Sequence, residues 1–421
     1  MRLARVVSAF DCCNPSIDRL VETADLDVLQ LDYQWLTNDS ADRRTGCGHK
    51  GENWLWRSYA PGFLKQLRTL HKSLYLDPNL HVVTNAGGRD TLGCVEALAK
   101  FLCEHDGAEL PITAIRGDNV FAHLEELMAE GIELRDVATG TALQKLALPL
   151  VAAQVELGAG PFKTALEEGS RLVVAGCYDG AAPVIAAATS ATPLAWDHTD
   201  TLAQLAGAAR CQQTIVEFDE EMHLELYPQP GSQVRLDQME SQITESTSPE
   251  GTVKHADVHY EESHCEFAGV SEGNHSSQQI MGQPPTGQWL LRVTYVAEHF
   301  AETVWEIDNS TKTKPTSLMC SRLKSQLGYG EEDPSLEIHF MEPIYAEIPS
   351  IIRARFRSPE RKRCEEFVDV VKNYVARAEQ PRGTWVGTLP TVRSQLAQFC
   401  CEVPREAITV SVDTRPAKEW R

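Results

Sequence analysis

Val82-Val83-Thr84-Asn85-Ala86-Gly87-Gly88-Arg89-Asp90 is the stretch that decides the fold. β-forming residues, from about Leu80, run into a turn with two adjacent glycines. A helical pattern follows at once, with Leu92, Val95, Leu98, Ala99 and Leu102 on one face. Strand, glycine turn and helix make one β-α unit, and such units in series build a parallel sheet. The pattern recurs on both sides. Arg2–Phe10 reads as a strand, with the turn Asp11-Cys12-Cys13-Asn14-Pro15-Ser16 and a helix from Ile17. Val28–Leu31 ends in Asp32-Tyr33, and Ile112–Ile115 ends in Arg116-Gly117-Asp118 before a helix that stops at Gly131. A helix over Phe162–Glu168 precedes the strand Arg171–Ala175 and the turn Gly176-Cys177-Tyr178-Asp179-Gly180.

The expected fold class is therefore α/β, with a mostly parallel, Rossmann-like sheet in the first half and a smaller α+β domain at the end. The expected organisation is an α/β domain over 1–190, a helical and loop-rich connection over 191–287, and an α+β domain over 288–421. A helix is expected near Gly62–Lys72, and an alternating run covers Ile215–Tyr227. Residues 237–287 are polar and read as extended loops. Trp289–Val296 and Phe300–Ile307 read as a hairpin around Ala297-Glu298-His299, followed by strands Leu336–Phe340 and Ile351–Phe356. Ser358 then caps a helix with Pro359 in its first turn and Phe367, Val371, Tyr374 and Val375 facing inward; Ala407–Val412 is the final strand.

A length of 421 residues suits two or three domains. The formal charge of −21 repels phosphate backbones and anionic lipid, so neither nucleic acid nor a membrane surface is an expected partner. No apolar run reaches the length of about 18 residues that a span requires. The 12 cysteines show no Cys-x-x-Cys pair or framework spacing and read as reduced thiols, which suits a cytoplasmic location.

In a parallel sheet the C-terminal strand ends share one edge, and ligands bind there. Asp11, Asp32, Asn85 with Asp90, Arg116 with Asp118, and Cys177 with Asp179 are thus expected to line one pocket. Each is also an ordinary turn or cap residue. The Asn85–Gly88 turn can offer backbone N–H groups to a carboxylate or phosphate, with Gly87 and Gly88 allowing close approach and Arg89 adding charge; it can equally be just a tight turn. No Gly-x-Gly-x-x-Gly follows the first strand, so no nicotinamide cofactor is expected. His255, His259, His264 and Cys265, with Glu261 and Glu262, fit no structural zinc spacing and read as a solvated polar run. No metal site is assigned, although clustered aspartates leave divalent-metal hydrolysis as a lesser reading. Cys12 and Cys13 read as packing residues or lowered-pKa thiols, and His49, Trp54 and Trp56 as a lid or a core patch.

Several of these segments resemble the acyclic terpene utilisation family (AtuA-type). Val82–Gly88 is identical to that family's Val-Val-Thr-Asn-Ala-Gly-Gly turn, and Leu26–Tyr33, Tyr59–Phe63, Gly117-Asp118 and Leu157-Gly158-Ala159 are similar to its segments. Leu290–Ile307 and Ile351–Tyr374 resemble its later portion. The chain departs from the family at Ser8–Cys13, where members are Gly-rich. It departs again at Ala175–Asp179, which stands for Thr-Gly-Arg-Val-Ala-Asp, and at Ala208–Cys211, which stands where Gly-His follows. Losing that Arg and His removes an anion clamp and a candidate acid/base, so the substrate differs or the activity is altered or lost. The resemblance implies a catabolic enzyme of carboxylic-acid or acyl-CoA metabolism, lyase- or hydratase-like on a branched acyl substrate, with a CoA thioester as a candidate substrate and no cofactor. Asp32, Asp118 and Asp179 are the candidate acids and bases; Asn85, Gly87, Gly88, Arg89, Asp11 and Cys177 are the candidate binding residues. The alternative is a non-catalytic ligand-binding protein or a partner subunit of a catabolic complex; a homo-oligomer is also compatible.

Overall fold

The computed structural model describes residues 1–9, 14, 16–34, 59–245, 251–270, 275–307, 324–325, 334–341, 350–377, 383–385 and 390–421. The first strands are β1 (Arg2–Ala9), β2 (Val28–Gln34), β3 (His81–Thr84), β4 (Pro111–Arg116), β5 (Leu150–Val155) and β6 (Leu172–Val174). Five of these run parallel in the order β4-β6-β3-β2-β1, while β5 joins a second sheet. Neighbouring residues of one strand enter different cores. Leu172 and Val174 face α1 (Ser16–Ala24), α2 (Pro61–Leu76) and α3 (Thr91–Glu104), whose Leu20, Phe63 and Leu98 share their cluster. Val173 lies in the opposite cluster with residues of α4 (Leu124–Ala129), α5 (Gly160–Glu167), α6 (Ala182–Ala191) and α7 (Thr199–Arg210). A strand covered on both faces has no polar side to show, which is why these segments read as unbroken apolar runs.

Among the described residues, six antiparallel strands extend this sheet to 11. The hairpin β7 (Thr214–Phe218) and β8 (Leu224–Pro228) pairs with β1. After α8 (Leu236–Thr244) come β9 (Thr252–Lys254), β10 (His259–Val270) and β11 (His275–Gln283). These elements replace the loops expected over 237–287. Antiparallel strands need only one packed face, here marked by buried Val258, Tyr260 and Ile280, so a largely polar composition suffices.

The second sheet is built on β12 (Gln288–Ile307), with β13 (Leu336–Met341), β14 (Ser350–Ser358), β15 (Gly383–Trp385) and β16 (Val392–Pro404). The expected hairpin is one continuous strand. The register against β16 shifts between Val296 and Glu298, so Ala297-Glu298-His299 forms a bulge that absorbs a residue without reversing the chain. β5 pairs with β12 through Leu291↔Val155 to Tyr295↔Leu150. Ser358 accepts from the Glu360 N–H at 3.1 Å, and α9 (Arg361–Arg377) packs Phe367 and Val371 into a small core with Phe356. The side chains of Tyr374 and Val375 lie outside the described residues. The last strand, β17 (Ser411–Pro416), sits further along than Ala407–Val412 and returns to the first sheet beside β4. No helix among the described residues is long and apolar enough to cross a membrane.

Candidate functional site

β6 lies between β3 and β4, so the turn leaving its C-terminal end meets the turns of both neighbours. Residues 175–181 form the hub. Gly87 N–H donates to the Ala175 carbonyl at 3.0 Å, and a Cβ on Gly87 would lie 2.6 Å from that oxygen. A Cβ on Gly176 would lie 2.0 Å from the Gly88 carbonyl and 2.3 Å from Asp118 Oδ2. Both positions require glycine because backbone atoms occupy the space. Asp118 accepts from Gln154 Nε2 at 3.2 Å and from the N–H groups of Cys177 and Asn119. Tyr178 donates its hydroxyl to Asp32 Oδ1 at 2.5 Å. Asp179 accepts from Ala181 N–H at 2.8 Å, from Ala256 N–H at 2.6 Å and from His255 Nδ1 at 2.8 Å.

Asp32, Gly87, Gly88, Asp118, Cys177 and Asp179 thus meet at one place although β2 and β6 lie far apart in sequence. Asn85 joins them indirectly: its amide pairs with both backbone groups of Tyr33, at 2.6 and 3.1 Å, tying the end of β2 to the β3 turn. Arg89 is half-buried and donates to the Val151 carbonyl at 3.4 Å. Asp90 caps α3, accepting from Gly93 N–H at 2.9 Å. Asp11, like Cys12, Cys13, His49, Trp54 and Trp56, lies outside the described residues.

These groups differ in what they are free to do. Both Asp32 oxygens are engaged, Oδ2 by Arg5 Nε at 2.6 Å and Gln30 Nε2 at 3.0 Å. The N–H groups of Ala86, Gly87, Gly88 and Asp90 all donate within the chain. Burial pushes the Asp118 carboxyl up to about 7, and its amide donors offset this only in part. Burial, reinforced by Glu156 and Asp118, likewise holds the Cys177 thiol well above its ordinary value. A protonated thiol is a poor nucleophile.

The acids and bases that complete the hub were not among the expected site residues. His255, read as part of a solvated run, has a side chain only 9% exposed. Its ring stacks on Tyr260 with centroids 6.0 Å apart. Among the described residues its Nε2 is buried without a hydrogen-bond partner. Burial alone would raise Asp179, but the charge and hydrogen bond of His255, with two N–H donors, hold it well below the usual range. Glu156, at the end of β5, pairs with Arg292 of β12 at 2.5 Å; burial raises its carboxyl despite that arginine. Asp257 accepts from Ala159 N–H at 2.6 Å and meets Arg405 at 3.4 Å, and burial pushes it up to about 6. Gly158 is needed here too, since a Cβ would lie 2.6 Å from Asp257 Oδ1. The usable sequence signal was His255-Ala256-Asp257, an imidazole and an acid in one short turn between strands.

Among the described residues, the one grouping of metal-ligand type is the exposed trio Asp219, Glu221 and His223, away from the hub. Asp32, Asp118 and Asp179 form no such grouping; each is held by different donors.

A sequence model described as acyclic terpene utilisation family protein AtuA matches residues 3–215, about half of the chain. The chain belongs to the acyclic terpene utilisation family. The family match runs from β1 into β7 and contains residues 175–181 and the strand ends they join, including Glu156. His255, Asp257, Arg292 and Arg405 lie beyond it. No curated protein matches the chain, and no solved structure does.

Proposed function

We propose that the protein is an acid/base enzyme of acyclic terpene catabolism, lyase- or hydratase-like, acting on a branched acyl substrate such as a CoA thioester. The observation that carries this reading is His255 Nε2, buried and unpartnered among the described residues while Nδ1 is held by Asp179 at 2.8 Å. An Nδ1–H donated to a carboxylate fixes the tautomer and leaves the Nε2 lone pair as a general base. Asp179 is the positioning residue and stabilises the imidazolium that forms. Asp118, pushed up to about 7, holds a proton that an ordinary carboxyl has already lost at neutral pH, and supplies the acid. Asp32, Asn85, Gly87 and Gly88 hold the turns in place around them.

A second reading, a non-catalytic ligand-binding or partner subunit, is favoured by one observation. The Asp32 oxygens and the N–H groups of the Gly87-Gly88 turn, which the sequence offered to substrate, are bound within the chain. Turnover of a panel of branched hydroxyacyl- and enoyl-CoA esters by wild type, His255→Asn and Asp179→Asn decides between them. Removal of a general base is expected to cost about 10²- to 10⁴-fold in rate, with thermal midpoints showing that the variants remain folded. Ligand-induced stabilisation without turnover, or full activity in His255→Asn, defeats the acid/base reading.

A further inference from the structure

Two more buried donors border the turn that carries His255. Trp289, near the start of β12, is 8% exposed, and its indole Nε1 has no hydrogen-bond partner among the described residues. Arg405, directly after β16, lays its guanidinium over that indole, 5.5 Å from the ring centroid. One of its terminal nitrogens reaches Asp257 at 3.4 Å, while its Nε is buried and has no partner among the described residues. Backbone bonds fix the segments that carry both side chains. The Arg405 N–H donates to the Gly287 carbonyl at 3.1 Å, and the Leu290 carbonyl accepts from Glu156 N–H at 2.8 Å. Asp257 stands two residues from His255. A buried donor without an acceptor is costly and rare, and a ligand oxygen is a common reason for one.

We infer that Arg405 and Trp289 form a subsite for the carboxylate of an organic acid, beside the His255 turn. A carboxylate offers two acceptor oxygens to the two waiting N–H groups and adds only one negative charge where Asp257 already faces the guanidinium. A phosphate dianion suits the place less well, because Asp257 and Asp179 already contribute negative charge against one arginine. The inference rests on the proposed function only for the role of the neighbouring imidazole; binding is measured without turnover.

Isothermal titration of 3-methylbutanoate, its methyl ester and inorganic phosphate into the full chain tests this. Wild type is expected to bind the carboxylate and neither the ester nor phosphate. Trp289→Phe keeps an aromatic ring under Arg405 but deletes the indole N–H together with its five-membered ring; Arg405→Lys keeps the charge but deletes Nε and the rest of the planar guanidinium. Each is expected to weaken carboxylate binding about tenfold, while Asp219→Asn, at the exposed trio away from the hub, stays within about twofold of wild type. If Trp289→Phe loses its thermal transition, Arg405→Lys decides alone. Carboxylate binding absent from wild type, or unchanged in the folded variants, overturns the subsite; phosphate binding as tightly as the carboxylate replaces it with a phosphate site. Wild-type turnover in His255→Asn together with weakened binding in Arg405→Lys would reject the acid/base reading and leave the subsite standing.

Discussion

Asp118→Asn gives the sharpest test of the electrostatics at the hub. Asp118 is 2% exposed, and burial raises its carboxyl from 3.8 to about 7. Between those two values the folded protein holds a proton that the unfolded chain has lost. Stability therefore falls as pH rises from about 4 to about 7 and is flat above that. Each pH unit in this window is worth about 1.4 kcal/mol. Burying Asp118 thus destabilises the fold by at most about 4 kcal/mol at pH 8, where it is ionised, and by roughly 1.5 kcal/mol at pH 5, where it keeps its proton. Asparagine is neutral at both. Its amide oxygen can stand where Oδ2 accepts from Gln154 Nε2, leaving the Gln154 bond to the Gly88 carbonyl intact. Asparagine makes somewhat different hydrogen bonds, so the decisive quantity is the change with pH. Stability of Asp118→Asn relative to wild type is expected to rise by about 3 kcal/mol between pH 5 and pH 8, measured by urea unfolding. A difference that stays level with pH, or falls, refutes the claim that this carboxyl is buried without a counter-charge.

Three further perturbations probe the neighbouring contacts. Asp179 behaves oppositely to Asp118: its depressed pKa contributes stability above about pH 4 that is lost as pH falls below it. Asp179→Asn should be about 2 to 3 kcal/mol less stable at pH 7, and acid titration followed by circular dichroism should show wild type losing that advantage below pH 4. Gly176→Ala drives a methyl into the Gly88 carbonyl at 2.0 Å, so a loss of about 3 kcal/mol in denaturant unfolding is expected; wild-type stability would mean the turn is looser than described. Arg5→Met leaves Asp32 buried without its guanidinium and should cost about 3 to 5 kcal/mol, largely recovered when Asp32→Asn is added; equal losses in single and double variants would show that Arg5 acts through packing alone.

The parallel half of the fold was legible because each strand and helix carries its own local pattern. Arg-Leu-Val-Val-Ala at 171–175 is apolar on both faces, and Gly131 and Gly169, with φ of +89° and +77°, end their helices as expected. What escaped were pairings made at long range. β5, Leu-Val-Ala-Ala-Gln-Val, resembles any short apolar run, and only β12, which follows it by well over a hundred residues, makes it a strand of the second sheet. The bulge at Val296/Glu298 imitates a turn because the extra residue, Ala297, interrupts the alternation just before the polar pair Glu298-His299. β9 to β11 are held by backbone ladders that do not depend on side-chain polarity, so their composition did not distinguish them from loops.

The site divides along the same line. That Asp32, Asp118 and Asp179 lie toward the C-terminal ends of strands in one parallel sheet follows from counting β-α units, and the Gly87-Gly88 turn marks where backbones must touch. What each acid does depends on donors delivered from elsewhere, and no local pattern announces those. Asp32 receives Arg5 and Tyr178, both its oxygens are engaged, and it becomes part of the frame. Asp118 receives only amide donors, which soften but do not cancel the effect of burial. Asp179 receives an imidazole from a turn that by composition looks solvated, since a buried polar group and an exposed one are spelled with the same letters. A scaffold has no need to drive two carboxyls of one hub in opposite directions. A proton-transfer site does: one group must keep its proton at neutral pH while another stays charged enough to hold a base in its reactive tautomer. The opposed environments of Asp118 and Asp179, with an imidazole nitrogen left unpartnered among the described residues, fit that requirement better than they fit packing.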